Sequence, residues 1–246
     1  MHDSLGDRIK SNYESRSKQL LGRRAYTIIR LDGKAFHTYT RGLERPFDEF
    51  LMADLDYAAQ TVCKDIQGAR FAYVQSDEIS ILLTDFESID SQAWFDLDVQ
   101  KICSVSASLT TAAFNERRLL LRNKGSACFD ARVFQLPTRT EVMNYFIWRQ
   151  NDAVRNSIAS VAQSLYSAKE LHGVGSNQQQ ELIHQKGINW NDFTSGEKRG
   201  RFIEREVYEK IGDNGEPATR SRWIAVECPT FTQDNEWILS RIPRND

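Results

Sequence analysis

Two acidic places in the 246-residue chain have side chains whose types and surroundings could do chemistry. The first is Asp32, followed by Gly33. It closes Tyr26 to Leu31, a β-branched and apolar run that reads as a strand. A carboxylate at a strand end can face a ligand, and a glycine beside it permits close backbone approach. The same pair also reads as an ordinary Asp-Gly hairpin turn. The second place is Asp77-Glu78, preceded by Ser76, a polar break between the strand-like runs Arg70 to Gln75 and Ile79 to Thr84.

The surrounding elements decide whether these places meet. Residues 3–21 have partial helical spacing, with Ser4 as a cap and Asp7 three residues on. Phe47 to Ile66 has an apolar stripe through Leu51, Leu55, Ala58, Val62 and Ile66, with Asp54 and Asp56 off it. Trp94 to about Leu119 is helix-compatible, and Ala127 to Leu136 reads as a strand. The order strand, helix, strand, strand, helix, strand is that of the ferredoxin-like split βαβ unit. In it the first and third strands are central, antiparallel neighbours, which puts Asp32 beside Asp77 at one edge of the sheet. Carboxylates gathered there repel unless a cation lies between them. Hard oxygen donors with open positions suit Mg²⁺ completed by substrate phosphates. Two such ions about 3.5–4 Å apart are the device of in-line phosphoryl transfer.

Beyond Pro137, Thr138 with Glu141 is a capping-box pattern that opens a helix, with a bend expected near Asn151-Asp152. A short helix follows over Gln178 to Gln185. Phe202 to Tyr208 and Trp223 to Cys228 read as a hairpin joined by the turn-rich Gly212-Asp213-Asn214-Gly215. The fold class is therefore α+β, a ferredoxin-like palm with added helices and a C-terminal hairpin. The expected organisation is one domain over 1–246, with a palm-like core at 22–137 and an extension at 138–246.

Composition excludes several classes. Hydrophobic content of 40% and charged content of 27% are those of an ordinary globular chain. No apolar run approaches the roughly 20 residues that span a bilayer, and a polar N-terminus gives no secretory signal. A cytoplasmic location and no membrane partner are expected. Cys63, Cys103, Cys128 and Cys228 are scattered, and the histidines lack ligand spacing, so neither a disulfide framework nor a zinc site is indicated. A net charge of −2 does not announce a nucleic-acid binder. The cations are nonetheless bunched: Arg23-Arg24, Arg117-Arg118 with Arg122 and Lys124, Lys198-Arg199 with Arg201, and Arg220 with Arg222. A phosphate stripe needs only such local clusters.

Several neighbours of the acidic pairs fit a triphosphate. The backbone of Lys34, Ala35, Phe36 and His37 could cradle phosphates if it opens a turn. Lys34 offers a point charge, Ser76 a hydroxyl, and Phe36 or His37 a ring for a base. Each also has a plainer reading, Lys34 as a solvated lysine and Phe36 as a core aromatic.

Arg30-Leu31-Asp32-Gly33-Lys34-Ala35-Phe36-His37 and Gln75-Ser76-Asp77-Glu78 are joined by Phe129-Asp130-Ala131-Arg132 and by Asn144 to Asp152, with its Trp148-Arg149-Gln150. Taken together these resemble the tRNA(His) guanylyltransferase-like family of 3′–5′ nucleotidyltransferases. The resemblance implies a polymerase-like palm, two Mg²⁺ ions, a homotetramer, and nucleotide addition to the 5′ end of tRNA using ATP, GTP and other NTPs. It implies that Asp32, the Gly33 carbonyl and Asp77 hold the metals, with Glu78 supporting the carboxylate cluster. Residues 32–37, Ser76, Asp77 and Arg45 would bind the nucleotide. Arg117, Arg118, Lys198, Arg199 and Arg201, with Asn156, are the expected tRNA contacts. Family members that add the extra guanosine to tRNA(His) carry a His-Ile-Asn-Asn segment. Here Ala153-Val154-Arg155-Asn156 stands in its place, and Arg155-Asn156-Ser157 is similar to the prokaryotic branch linked to template-dependent repair of 5′-truncated tRNA. The competing readings are guanosine addition restricted to tRNA(His), a palm-type nucleotidyl cyclase or 5′–3′ polymerase, and an RNA-binding module reading RNA on Phe71 and Tyr73.

Overall fold

Six strands account for the core: β1 Tyr26–Gly33, β2 Ala69–Gln75, β3 Glu78–Leu83, β4 Phe129–Leu136, β5 Arg201–Ile211 and β6 Pro217–Val226. The helices are α1 Leu5–Asn12, α2 Phe36–Tyr39, α3 Glu49–Asp65, α4 Val99–Arg122, α5 Arg139–Leu165, α6 Ser176–Gln185, α7 Ser195–Arg199 and α8 Asn235–Leu239. The computed structural model describes residues 4–122, 125–211 and 216–245. The strands form one antiparallel sheet in the order β4-β1-β3-β2-β5-β6. The expected central pairing of the first and third strands is present, with Asp32 in register with Glu78.

Alternation along the strands divides the core into two layers, because successive side chains point to opposite faces. Ile29, Leu31, Val74, Ile79 and Ile81 pack with Leu55, Ala58 and Val62 of α3 and Phe114 of α4. Tyr26, Ile28, Phe71, Tyr73 and Leu82 pack with Val142, Phe146 and Ala153 of α5 and Ile238 of α8. Helices therefore cover both faces, and all six residues of β3 are buried. An RNA-binding module of the open-sheet kind needs exposed rings on the central strands. Phe71 and Tyr73 are 1% and 0% exposed, so that reading does not hold.

Local signals place the helix starts. Ser4 accepts from the Asp7 amide at 3.0 Å, and Thr138 from the Glu141 amide at 3.1 Å, both as expected. Elsewhere the structure departs from the sequence reading. The first helix ends at Asn12 and buries nothing, its partial apolar spacing having no surface in this chain to pack on. The long helix expected from Trp94 is broken: Phe95, Asp96 and Leu97 have positive φ, and α4 starts after Asp98 accepts from the Lys101 amide at 3.2 Å. No break appears in α5 at Asn151-Asp152. The C-terminal hairpin is longer than expected and joins the sheet on the β2 edge. Its turn at 212–215 lies outside the described residues, as does Lys124. Among the described residues, no helix is long and apolar enough to cross a membrane.

Candidate active site

Gln75 and Glu78 pair as the last and first residues of β2 and β3, which leaves Ser76 and Asp77 as a two-residue turn. Ser76 has φ of 49°, the left-handed region that such hairpin turns usually assign to glycine. Its hydroxyl donates to Asp77 Oδ1 at 3.1 Å. The Gly33 amide donates to the Asp77 carbonyl at 3.2 Å, tying the end of β1 to this turn. Burial, and then the charge of nearby Asp32, push the Asp77 carboxyl up to about 6. Sequence order and strand pairing thus bring Asp32, Gly33 and Asp77 together.

Glu78, expected to support the carboxylate cluster, is itself ion-paired. Arg149 of α5 donates to both its oxygens, Nε to Oε1 at 2.8 Å and Nη2 to Oε2 at 2.9 Å. Ser80 donates to Oε1 at 3.1 Å, and Arg30 approaches at 3.9 Å. Burial raises the Glu78 pKa and Arg149 opposes that rise. Both Glu78 oxygens therefore have hydrogen-bond donors within the protein. Arg149 had no assigned role in the sequence, although a signal exists. Val142, Tyr145-Phe146, Arg149 and Ala153 share one helical stripe, and a cation on a buried stripe needs a buried anion. Tyr145 completes the support, its hydroxyl 2.8 Å from Ser80 Oγ.

A cleft of about 450 Å³ opens beside Asp77, lined among others by His37, Arg45, Ser76, Asn156 and Arg201. Asp32, Gly33 and Lys34 lie outside this lining. Lys34 and His37 are exposed, and Arg45 is exposed with no acid partner among the described residues. Of the stretch expected to cradle phosphates, the Lys34 amide is taken by the Cys128 carbonyl at 2.8 Å. Ala35 is left-handed with φ of 55° and opens the single turn of α2. Phe36 is not free to stack on a base: it is 5% exposed and packs on Tyr39, Phe114 and Phe129.

The donor set can be tested against Mg²⁺. Among the described residues no group of three or more His, Cys, Asp and Glu side chains forms a ready cage. Two carboxylates and a backbone carbonyl suit an ion that keeps most of its positions for water and substrate phosphate. The residues present therefore fit.

The model of the tRNAHis guanylyltransferase family, Thg1, matches residues 6–137, more than half of the chain. The chain belongs to this family. It is a nucleotidyltransferase. A bacterial tRNA(His) guanylyltransferase-like protein, solved in complex with ATP, is 42% identical, with a TM-score of 0.88 over 98% of this chain and 99% of that one. A second such structure, in complex with GTP, is 41% identical with a TM-score of 0.80, covering 98% and 99%. The tRNA(His) guanylyltransferase of Debaryomyces hansenii is 28% identical over 211 residues, 77% of this chain and 77% of that protein.

Within this member of the family, the basic clusters expected to meet tRNA are largely internal. Arg118 is 1% exposed and donates to Asp54 Oδ2 at 3.0 Å. Arg117 donates to Asp54 Oδ1 at 2.9 Å and stacks on Tyr57. Asp54, placed off the apolar stripe by its type, is fully buried by these two partners. Lys198 is buried, donates to the Asn191 carbonyl and lies over the Trp190 ring. Arg201 grips Asp56, its Nε at 2.7 and 2.8 Å from the two oxygens. Arg199 is half-buried, and its carbonyl accepts from Tyr73. Asn156 alone of the expected contacts is an exposed residue on the cleft wall.

Proposed function

We propose that this nucleotidyltransferase extends the 5′ end of tRNA in the 3′–5′ direction, guided by the opposite strand of the acceptor stem, and so repairs 5′-truncated tRNA. The observation that carries the reading is the meeting of Asp32 and Asp77 at the mouth of a cleft furnished with Arg45, Ser76 and His37. Support comes from the 42% and 41% identical bacterial proteins solved with ATP and with GTP. The replacement of the His-Ile-Asn-Asn segment by Ala153-Val154-Arg155-Asn156 argues against duty restricted to tRNA(His).

The reaction comprises two nucleotidyl transfers at one place. A tRNA 5′-phosphate attacks the α-phosphorus of ATP or GTP, and pyrophosphate leaves. The 3′-hydroxyl of an incoming nucleotide then attacks the activated 5′-phosphorus, and the nucleoside monophosphate leaves. A 5′-triphosphate end enters at the second step. Asp32, the Gly33 carbonyl and Asp77 would hold two Mg²⁺ ions, which would acidify the attacking group and neutralise charge on the leaving one. Lys34 and Arg45 add mobile positive charge toward the triphosphate, and Ser76 fixes the Asp77 carboxylate. Glu78 and Arg149 hold the turn that carries Asp77. Residues 22–137 form the catalytic palm in this reading, 138–246 buttress it, and the working form is a cytoplasmic homotetramer.

The test is incubation with 5′-truncated tRNAs and each nucleotide, with and without Mg²⁺, reading growth at the 5′ end. Restoration of full-length tRNAs of several specificities supports the proposal. A single guanosine added to tRNA(His) alone would replace it by the narrower activity, and growth only at the 3′ end would overturn it.

A further inference from the structure

A second groove lies between the outer face of α3 and the β5–β6 ribbon, away from the reaction site. It has a volume of about 500 Å³. One wall carries Tyr57, Gln60, Thr61 and Lys64, spaced three, four and seven residues along α3. The facing wall carries Arg205 and Trp223, cross-strand partners in the ribbon. The lining residues include Lys64, Arg205 and Arg222, and no carboxylate. Arg222 is paired outside the groove with Glu206 at 2.6 Å. Lys64 and Arg205 are exposed, and among the described residues neither has an acid partner. Arg205 Nη2 donates only to the neutral Ser221 hydroxyl, at 2.8 Å. Arg70, at the start of β2, is held by Glu87 and lies near enough to Arg205 to feel its charge. In a chain of net charge −2, this is a local concentration of positive charge beside two aromatic rings.

Its position sets what can fill it. Strand β2 runs from Ala69, in the groove lining, to Gln75, beside the Ser76-Asp77 turn. Six residue steps of roughly 3.3 Å put the groove about 20 Å from the reaction site. A nucleoside triphosphate seated at Asp77 does not reach that far. We propose that this groove binds the phosphate backbone of the RNA substrate, at a point remote from the 5′ end being extended. The proposal rests on the functional reading above and adds the surface that orients the polymer. Lys64 and Arg205 take consecutive phosphates, and the partly buried Trp223 supplies a flat wall for ribose or base.

The experiment uses full-length protein carrying Lys64→Gln, Arg205→Gln, or both, with thermal unfolding as the control for folding. Equilibrium binding of tRNA is measured across a salt series, alongside nucleotide addition. Each phosphate contact removed lowers the slope of log K against log salt by about one and weakens binding about tenfold at roughly 0.1 M salt. KM for tRNA rises, while kcat and KM for the nucleotide do not change. Unchanged affinity and slope in the folded double variant, beside a wild type that does extend tRNA, overturns the groove and leaves the functional reading standing. A wild type that extends no tRNA overturns both. A changed sedimentation coefficient with unchanged RNA affinity also overturns the proposal, since it makes the groove a contact between copies of the chain.

Discussion

Glu78 and Arg149 face each other across the seam between β3 and α5, with two parallel hydrogen bonds of 2.8 and 2.9 Å. Both side chains are 6% exposed. A buried pair of this kind is weak evidence of net stabilisation, because removing two charges from water nearly offsets their attraction. Breaking it is another matter. Arg149→Met leaves the Glu78 carboxylate in the core without its partner, at about 3–5 kcal/mol. For a chain of this length the melting temperature should fall by roughly 10 °C. The double variant Glu78→Gln, Arg149→Met should recover much of that loss, measured by thermal unfolding. An unchanged melting temperature in Arg149→Met would remove the pair from any part in holding the Ser76-Asp77 turn.

Asp32→Asn and Asp77→Asn keep shape and remove charge. Each should lower the rate of 5′ addition by about 10³-fold or more, since the site then lacks half of its charge clamp. Stability should hold or rise slightly, because Asp77 is already pushed up to about 6 by burial and by Asp32. Single-turnover assays on 5′-monophosphate and 5′-triphosphate tRNA report the two steps separately. Loss of both steps is expected, and substantial addition by either variant would sink the assignment of these carboxylates.

Arg117 and Arg118 offer a sharp contrast with the sequence reading. Arg118→Met removes one of the two arginines that hold Asp54, which is 0% exposed, and should cost about 1.5–3 kcal/mol. Arg117 is 30% exposed on its side chain, so Arg117→Met should cost only about 1 kcal/mol. Neither folded variant should alter the salt dependence of tRNA binding. A slope reduced by one unit in Arg117→Met would restore it as an RNA contact.

What was legible in the chain followed from strand order and from local capping. Asp32 and Asp77 needed only the split βαβ order to become neighbours, and Ser4 and Thr138 cap as their types require. Asp54 was misread because helical spacing sorts residues by polarity, and it cannot see that two arginines from α4 will close over a carboxylate. Arg149, by contrast, lies on the buried stripe of α5, where the spacing did mark it. The break at Phe95-Asp96 has no glycine or proline to mark it and depends on positive φ at three ordinary residues. The junction of β5 with β2 is a long-range pairing, and the alternation in β5 alone does not specify a partner.

Gly33 carries a packing constraint that its reading from the sequence did not include. In the sequence it stands beside Asp32 as a place for a ligand to approach. In the structure a Cβ there would lie 2.2 Å from Phe36 Cδ2, inside a ring that is itself wedged between Tyr39, Phe114 and Phe129. Gly33→Ala must therefore displace the ring that anchors α2, costing about 1–3 kcal/mol by overpacking. The shift also moves residues 34–37 and the wall of the nucleotide cleft, so KM for ATP or GTP should rise together with the loss of stability. Gly33→Ala combined with Phe36→Leu, which vacates space beside the new methyl, should recover stability more fully than activity. Thermal unfolding and nucleotide titration on the same samples decide it. If Gly33→Ala leaves the melting temperature unchanged while KM for the nucleotide rises, Gly33 is required for the close approach of a ligand, and its packing against Phe36 is incidental.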